Sequence, residues 1–234
     1  IKDLRFPRII IALFTGAALA VSGVLLQSVM KNPLAEAGII GIAAGGRFVF
    51  LLMMSINPML FFWSPLFAFI GGALACFLVY SLSWKSGFNP IRLILIGVAV
   101  NAVFTGLNQS FIYFVGYSSM THATVSTLSM KTWSEVEIMV IYGSIGLILS
   151  LFLASWCNVL ALQDKTAKNL GFNLSRLRLL ISIVAVLLAA VATAIAGVIA
   201  FVGLLVPHIA RQIVGTDHKV LIPFSALAGA LLLI

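Results

Sequence analysis

Apolar stretches long enough to cross about 30 Å of hydrocarbon as helix recur along this chain with only short polar breaks between them. They lie near residues 9–30, 38–56, 62–84, 91–114, 137–160, 177–196, 198–214 and from 221 to the end. Once water is gone, such a segment satisfies its own backbone only as helix, so the expected fold is all-α, a polytopic transmembrane helix bundle. Composition closes off a water-soluble core. Of the 234 residues 62% are hydrophobic and 9% charged, and mean hydropathy is +1.18, which leaves too little polar surface to coat a domain. Residues 1–234 read as one transmembrane domain, without a soluble domain or a low-complexity linker.

The breaks differ in chemistry. Lys31-Asn32-Pro33, Lys85 to Arg92, Lys165 to Arg178 and Arg211 to Lys219 are rich in cations, whereas Ile56 to Pro65 carries none and Tyr117 to Glu137 carries one lysine against two glutamates. The positive-inside bias places the first group in the cytosol and the second outside, and the alternation stays in phase along the chain. The net charge of +8 then belongs to cytosolic loops and is no sign of nucleic-acid binding. Arg5 and Arg8 fall on the external side, against the bias. The chain opens just before one apolar stretch and stops inside another, so at least one further crossing is expected at each end. The spans direct insertion themselves, and no cleavable leader is visible. Gly16–Gln27 and Ala192–Pro207 both alternate small and large apolar residues and run in opposite directions on this topology, as an inverted repeat or two unrelated Ala/Gly-rich segments would.

The six acidic residues, Asp3, Glu36, Glu135, Glu137, Asp164 and Asp217, all lie at breaks. An ion-driven pump needs a carboxylate near the midplane to hold the coupling ion, and no span supplies one. No span carries a nucleophile with its base, and there is no His-Glu-x-x-His helix and no phosphate-cradling glycine loop ending in Lys-Ser/Thr. No catalytic residue, metal site or cofactor is therefore assigned to the chain. Cys76 and Cys157 sit among apolar residues without metal-ligand spacing and read as buried thiols. Uphill movement of a solute requires energy from another subunit.

The cytosolic segment at about 161–178, within "ALQDKTAKNLGFNLSRLRLL", offers that subunit a place. Asp164 is a candidate N-cap, Lys165 to Asn169 a helical turn, Gly171 a C-terminal stop, and Asn173 or Ser175 a second cap. Two short helices at an angle would form a knob; a solvated loop anchored by its charge is the other reading. In "GVIAFVGLLVPHIARQIVGTDHKVLIP", Pro207 frees a backbone carbonyl one turn earlier, which a neighbouring helix can satisfy. His208 and Arg211, about a turn apart, can share a face and reach the cytosolic interface.

"RFPR" (Arg5 to Arg8), the Gly/Ala-rich helix ending in Gln27, "NPLAEAGIIGIAAG" (Asn32 to Gly45), "DKTAKNLGFN" (Asp164 to Asn173) and "FVGLLVPHIARQIVGTDHKVLIP" together resemble the motif series of the FecCD/BtuC-like permeases, in the family's order and over essentially the whole chain. These are membrane subunits of ATP-binding-cassette importers for iron-siderophore, haem and cobalamin. The resemblance implies about ten helices in a full chain, of which about eight are visible here. It also implies a multi-pass protein of the bacterial cell membrane that works as a homodimer or with a close paralogue. Two ATPases sit beneath it and bind the ATP, and a substrate-binding protein, a lipoprotein in Gram-positive cells, docks above.

The resemblance further implies roles. Asp164, Lys165, Thr166, Ala167, Leu170, Gly171, Phe172 and Asn173 would engage the ATPase. Pro207, His208 and Arg211 would act as hinge and latch at the cytosolic gate, a kinked helix end being the plainer reading. Arg5 and Arg8 would bridge to glutamates of the binding protein, since the guanidinium fork suits a carboxylate, although lipid headgroups would also hold them. "TLSMKTWSEV" (Thr127 to Val136) looks closer to permeases of Gram-positive haem and iron-siderophore systems than to a cobalamin importer. Arg47 replaces a small residue and falls inside a span, where it would meet a ligand carboxylate or serve the fold. His122 and Met130 are candidate haem contacts or ordinary surface.

Overall fold

The computed structural model describes residues 2–83, 90–115 and 131–234. Within them run the helices α1 (Lys2–Met30), α2 (Ile42–Ile56), α3 (Ser64–Ser83), α4 (Pro90–Val115), α5 (Trp133–Ala161), α6 (Asp164–Asn169), α7 (Leu174–Ala196), α8 (Val202–Val214) and α9 (His218–Leu232). A short 3-10 segment, Pro58–Trp63, leads into α3. Among the described residues α1, α3, α4, α5 and α7 are long and apolar enough to cross a membrane.

The apolar run 198–214, expected as one crossing, does not form one continuous helix. Gly197 (φ 84) ends α7, Phe201 takes a left-handed φ of 68, and α8 starts only at Val202. Its 13 residues rise about 20 Å, short of a bilayer core. Hydropathy ran straight through the linker because Val198, Ile199, Ala200 and Phe201 are themselves apolar. The run from 38 shortens likewise, since Gly41 (φ 85) delays α2 to Ile42. The two echoing segments do not form matching elements either. Gly16–Gln27 lies within unbroken α1, whereas Ala192–Pro207 contains the end of α7, the linker and the first half of α8.

α1 is the centre of the bundle and packs against α5, α7, α8 and α9. Small residues let backbones meet there, as dispersion-driven packing in lipid requires. Gly23 faces Gly203 of α8 and Gly16 faces Gly229 of α9, and a Cβ at either α1 position would strike the opposite carbonyl oxygen. Gly16 and Gly23, seven residues apart, thus give one helix face two backbone contacts. Two interior side chains bond to backbone carbonyls of other helices: Ser22 Oγ donates to the Ala185 carbonyl at 2.8 Å, and Asn108 Nδ2 to the Ala44 carbonyl at 3.0 Å.

At its C-terminal end α1 closes with Lys31 in the left-handed region (φ 49). The Asn32 N–H then bonds back to the Gln27 carbonyl at 3.2 Å. This closure is usually made by glycine, and a side chain there costs on the order of 1–2 kcal/mol of backbone strain.

Candidate coupling and gating site

The segment expected as a cytosolic knob is a six-residue helix, α6, with a tightly closed end. The Gly171 N–H bonds to the Lys168 carbonyl at 2.9 Å and the Phe172 N–H to the Ala167 carbonyl at 3.2 Å, with Gly171 at φ 85. That pair of bonds is the glycine-terminated closure of a helix, which explains why glycine stands at 171. Asn173 caps α7, accepting from the Arg176 N–H at 3.2 Å. The N-cap of α6 is Gln163 and not Asp164, which is the first helical residue. Ala167 is buried, while Lys165, Thr166, Leu170, Phe172 and Asn173 remain exposed, Leu170 at 62%. A shallow groove beside the knob is lined by Lys168, Gly171, Phe172, Asn173, Leu174 and Ser175.

Asp164 instead holds the knob to the bundle. It accepts from Lys31 Nζ at 2.7 Å and from Arg178 Nη2 at 3.0 Å, joining α6 to the end of α1 and to the second turn of α7. Lys31 Nζ also donates to the Leu162 carbonyl at 2.7 Å, at the end of α5. The Lys31 ammonium, and then Arg178, hold the Asp164 carboxyl below its ordinary value of 3.8.

One turn before Lys31, Gln27 reaches α8 twice. Its Nε2 donates to the Gly203 carbonyl at 3.3 Å, and its Oε1 accepts from Arg211 Nη1 at 2.6 Å. Gly203 lies four residues before Pro207, so Gln27 supplies the donor that the proline ring removes. His208 and Arg211 do not share a face: Arg211 turns inward to Gln27, while His208 is exposed and lies 3.3 Å from Gln212 Nε2.

Glu36 is at a break, as its position implied, but that break folds into the bundle. The side chain is 6% exposed and accepts from the Phe201 N–H at 2.9 Å. This carboxylate caps the start of α8, where helix N–H groups favour negative charge. A third knot joins α1, α5 and α9. Asn158 Oδ1 faces the His218 backbone N–H at 2.9 Å and Nδ1 at 2.7 Å, and His218 Nε2 lies 2.6 Å from Ser28 Oγ. Asn158 Nδ2 donates to Asp217 Oδ1 at 2.7 Å, which lowers the carboxyl of Asp217.

Arg5 and Arg8, expected on the external side, stand exposed on the first turns of α1. Lys131, against expectation for an external loop, is 6% exposed; it pairs with Glu135 at 2.8 Å and donates to the Ile195 carbonyl at the end of α7. Arg47 sits half-buried in the second turn of α2, and no hydrogen-bond or ion-pair partner is given to it by the described residues. His122 and Met130 lie outside the described residues. Among the described residues no group of three or more His, Cys, Asp or Glu side chains is placed to hold a metal.

Sequence reasoning missed Lys31, Glu36, Asn158 and His218 as members of these knots. Lysine before Asn-Pro looks like an ordinary orienting charge, and a glutamate in a break looks solvated. The role of Gln27 had a signal, the carbonyl freed by Pro207, which asked for a side-chain donor on a neighbouring helix.

The FecCD transport family model matches residues 1–234. The chain is 43% identical over 234 residues to "Probable heme-iron transport system permease protein IsdF" of Staphylococcus aureus strain Newman, and this covers 100% of the chain and 71% of the relative. The protein of the same name in strain USA300 gives the same identity of 43% and the same coverage. Among solved structures, a metal-chelate type ABC transporter in an inward-facing conformation superposes with a TM-score of 0.83 and 31% identity, over 100% of this chain and 76% of that one.

Proposed function

The chain belongs to the FecCD transport family and is a multi-pass membrane permease subunit of an ABC transporter, and we propose that its cargo is haem or a ferric siderophore, haem before the other. The observation that carries this choice is the 43% identity, over the whole chain, to relatives named for haem-iron transport. The chain leaves ATP hydrolysis to a separate subunit, and α6 is the handle that subunit grips. Three features support the handle: the closed, glycine-terminated turn, the exposed Leu170 and Phe172, and the ion pairs that fix it to two spans. Force on α6 passes into α1 and α7, and Gln27 carries it to α8.

On the external face Arg5 and Arg8 offer two exposed guanidinium groups to carboxylates of a substrate-binding protein. A second permease subunit completes the pathway. Arg47 lies on that pathway and meets an anionic group of the cargo, which accounts for a cation kept inside a span.

Reconstitution into proteoliposomes with an ATPase and a binding protein tests this reading. We expect ATP-dependent haem uptake that ionophores do not abolish. Uptake of cobalamin alone would remove the iron-complex assignment. Uptake driven by an ion gradient without ATP would overturn the importer itself. ATP hydrolysis by the purified chain free of any second subunit would move the ATPase site into this protein.

A further inference from the structure

We propose that Lys31 is a positioning residue that transmits the movement of α6 into α1 and so to α8. The inference rests on the reading of α6 as the ATPase handle. Three observations, none of which concerns docking, converge on this side chain.

First, its reach. Lys31 Nζ lies 2.7 Å from both Asp164 Oδ1 and the Leu162 carbonyl, so one ammonium ties the end of α1 to the start of α6 and to the end of α5. Lysine 31 stands directly after α1, in the residue that closes it.

Second, its backbone. Lys31 adopts φ 49, a conformation that glycine takes without strain and that lysine resists. Helix closure alone would favour glycine at this position, as α6 and α7 show by using Gly171 and Gly197. A strained side chain persists where the surrounding structure requires that side chain, which here means the contacts to α5 and α6.

Third, what lies upstream. Gln27 is one helical turn away on the same rigid α1 and holds α8 at both Gly203 and Arg211. A displacement of α6 that Lys31 passes to the end of α1 therefore reaches both halves of α8 without any intervening loop. Arg178 provides α6 with a parallel anchor on α7, which runs on to α8 through the linker 197–201. The direct line to α8 runs through Lys31.

The test compares Lys31→Gly, Lys31→Arg and the unaltered chain in the assembled complex with its ATPase subunits. A reporter cysteine replaces Gln212, exposed at the cytosolic end of α8, and its rate of thiol labelling is read before and after nucleotide trapping. No cargo is needed. In the unaltered chain trapping changes the labelling rate; if it does not, the handle reading of α6 fails and the inference falls with it. In Lys31→Gly we expect the ATPase to stay attached and hydrolysis to continue, while the nucleotide-dependent change in labelling shrinks by about tenfold, within the range by which residues on such a connection alter coupling. Lys31→Arg, which keeps the charge and reach, should preserve most of it.

Glycine relieves the backbone strain, so a residue that merely closed α1 would leave Lys31→Gly as responsive as the unaltered chain, or more stable. A full labelling response in Lys31→Gly overturns the proposal. So does loss of the ATPase from that variant, because it would make Lys31 a docking residue and not a transmitting one.

Discussion

Gln27 and Arg211, 184 positions apart, meet side chain to side chain, with Oε1 of the amide 2.6 Å from Nη1 of the guanidinium. The same amide also serves the Gly203 carbonyl at 3.3 Å. Both bonds leave with the side chain, so Gln27→Ala exposes two unmet groups in a partly closed interior. We expect a loss of roughly 2–6 kcal/mol, the sum of two such groups, read as a lower thermal midpoint in detergent. A double-mutant cycle with Arg211→Ala should give an interaction energy of about 1–3 kcal/mol. Additive losses would mean that the two residues act independently.

Gly23 and Gly171 are both glycines of helix ends or interfaces, yet substitution should fail for different reasons. At Gly23 any Cβ meets the Gly203 carbonyl, so Gly23→Ala should separate α1 from α8 and cost about 1–3 kcal/mol through overpacking. At Gly171 nothing lies within 4 Å of a Cβ, but φ is +85. Gly171→Val should therefore leave the bundle folded and distort the α6–α7 turn alone. Its signature is lost cargo-stimulated ATP hydrolysis with intact docking of the external protein. Normal stimulation in Gly171→Val would return the segment to a solvated loop.

The depressed carboxyl of Asp164 makes the hold on α6 dependent on pH. Because Lys31 and Arg178 lower it from 3.8 in the folded chain, the stabilisation is complete at neutral pH and disappears as pH falls below about 4 and the carboxyl takes up its proton. Asp164 is 48% exposed, so salt should weaken the pair as well. Asp164→Asn should flatten this acid limb of stability. An unchanged acid limb in the Asn variant would assign it to other carboxylates.

Reversal of Arg5 and Arg8 to Glu acts on the opposite face. Two exposed guanidinium groups on the first turns of α1 leave the core untouched when replaced. Docking of the external protein should weaken by about tenfold or more, mainly in the association rate and most at low salt. ATPase attachment should not change. Docking retained at moderate ionic strength would give these arginines to lipid headgroups.

Arg47→Ala separates cargo recognition from folding. We expect uptake of an anionic cargo to fall while the amount of folded permease stays constant. An equal loss of folded protein would make Arg47 a structural residue of α2.

The long spans were legible because an uninterrupted apolar run of twenty or so residues has one solution in lipid. The turn after α6 was also legible: Gly171 followed by Asn173 carries its own stop and start. Where the reading failed, it failed on where helices break and which loops fold inward. Val198 to Phe201 are as apolar as the helices they join, so hydropathy saw one continuous run from 198 where the chain is irregular to Phe201 and starts α8 only at Val202. Glu36 was placed correctly along the chain and wrongly in space, because its loop folds inward to meet the Phe201 N–H. His208 and Arg211 share a helix and not a direction; only the position of Gln27 on another helix decides which of them turns in.

The centrality of α1 carries a consequence for how the protein is made. Its polar and glycine contacts wait on partners far along the chain: Ser22 on Ala185, Gln27 on Gly203, Ser28 on His218, at separations of 163, 176 and 190 residues. At about 5–20 residues per second, a ribosome delivers those partners roughly 10–40 s after α1 has entered the bilayer. For that interval α1 stands in lipid with the Gln27 amide, the Ser22 hydroxyl and its glycine faces uncovered, while the Ser28 hydroxyl is held by the Val24 carbonyl of the same helix. The helix around which the finished bundle is organised is therefore the one most exposed to misassembly during biogenesis, and lesions in α7, α8 or α9 should leave behind an inserted but unclaimed α1 for membrane quality-control proteases to remove.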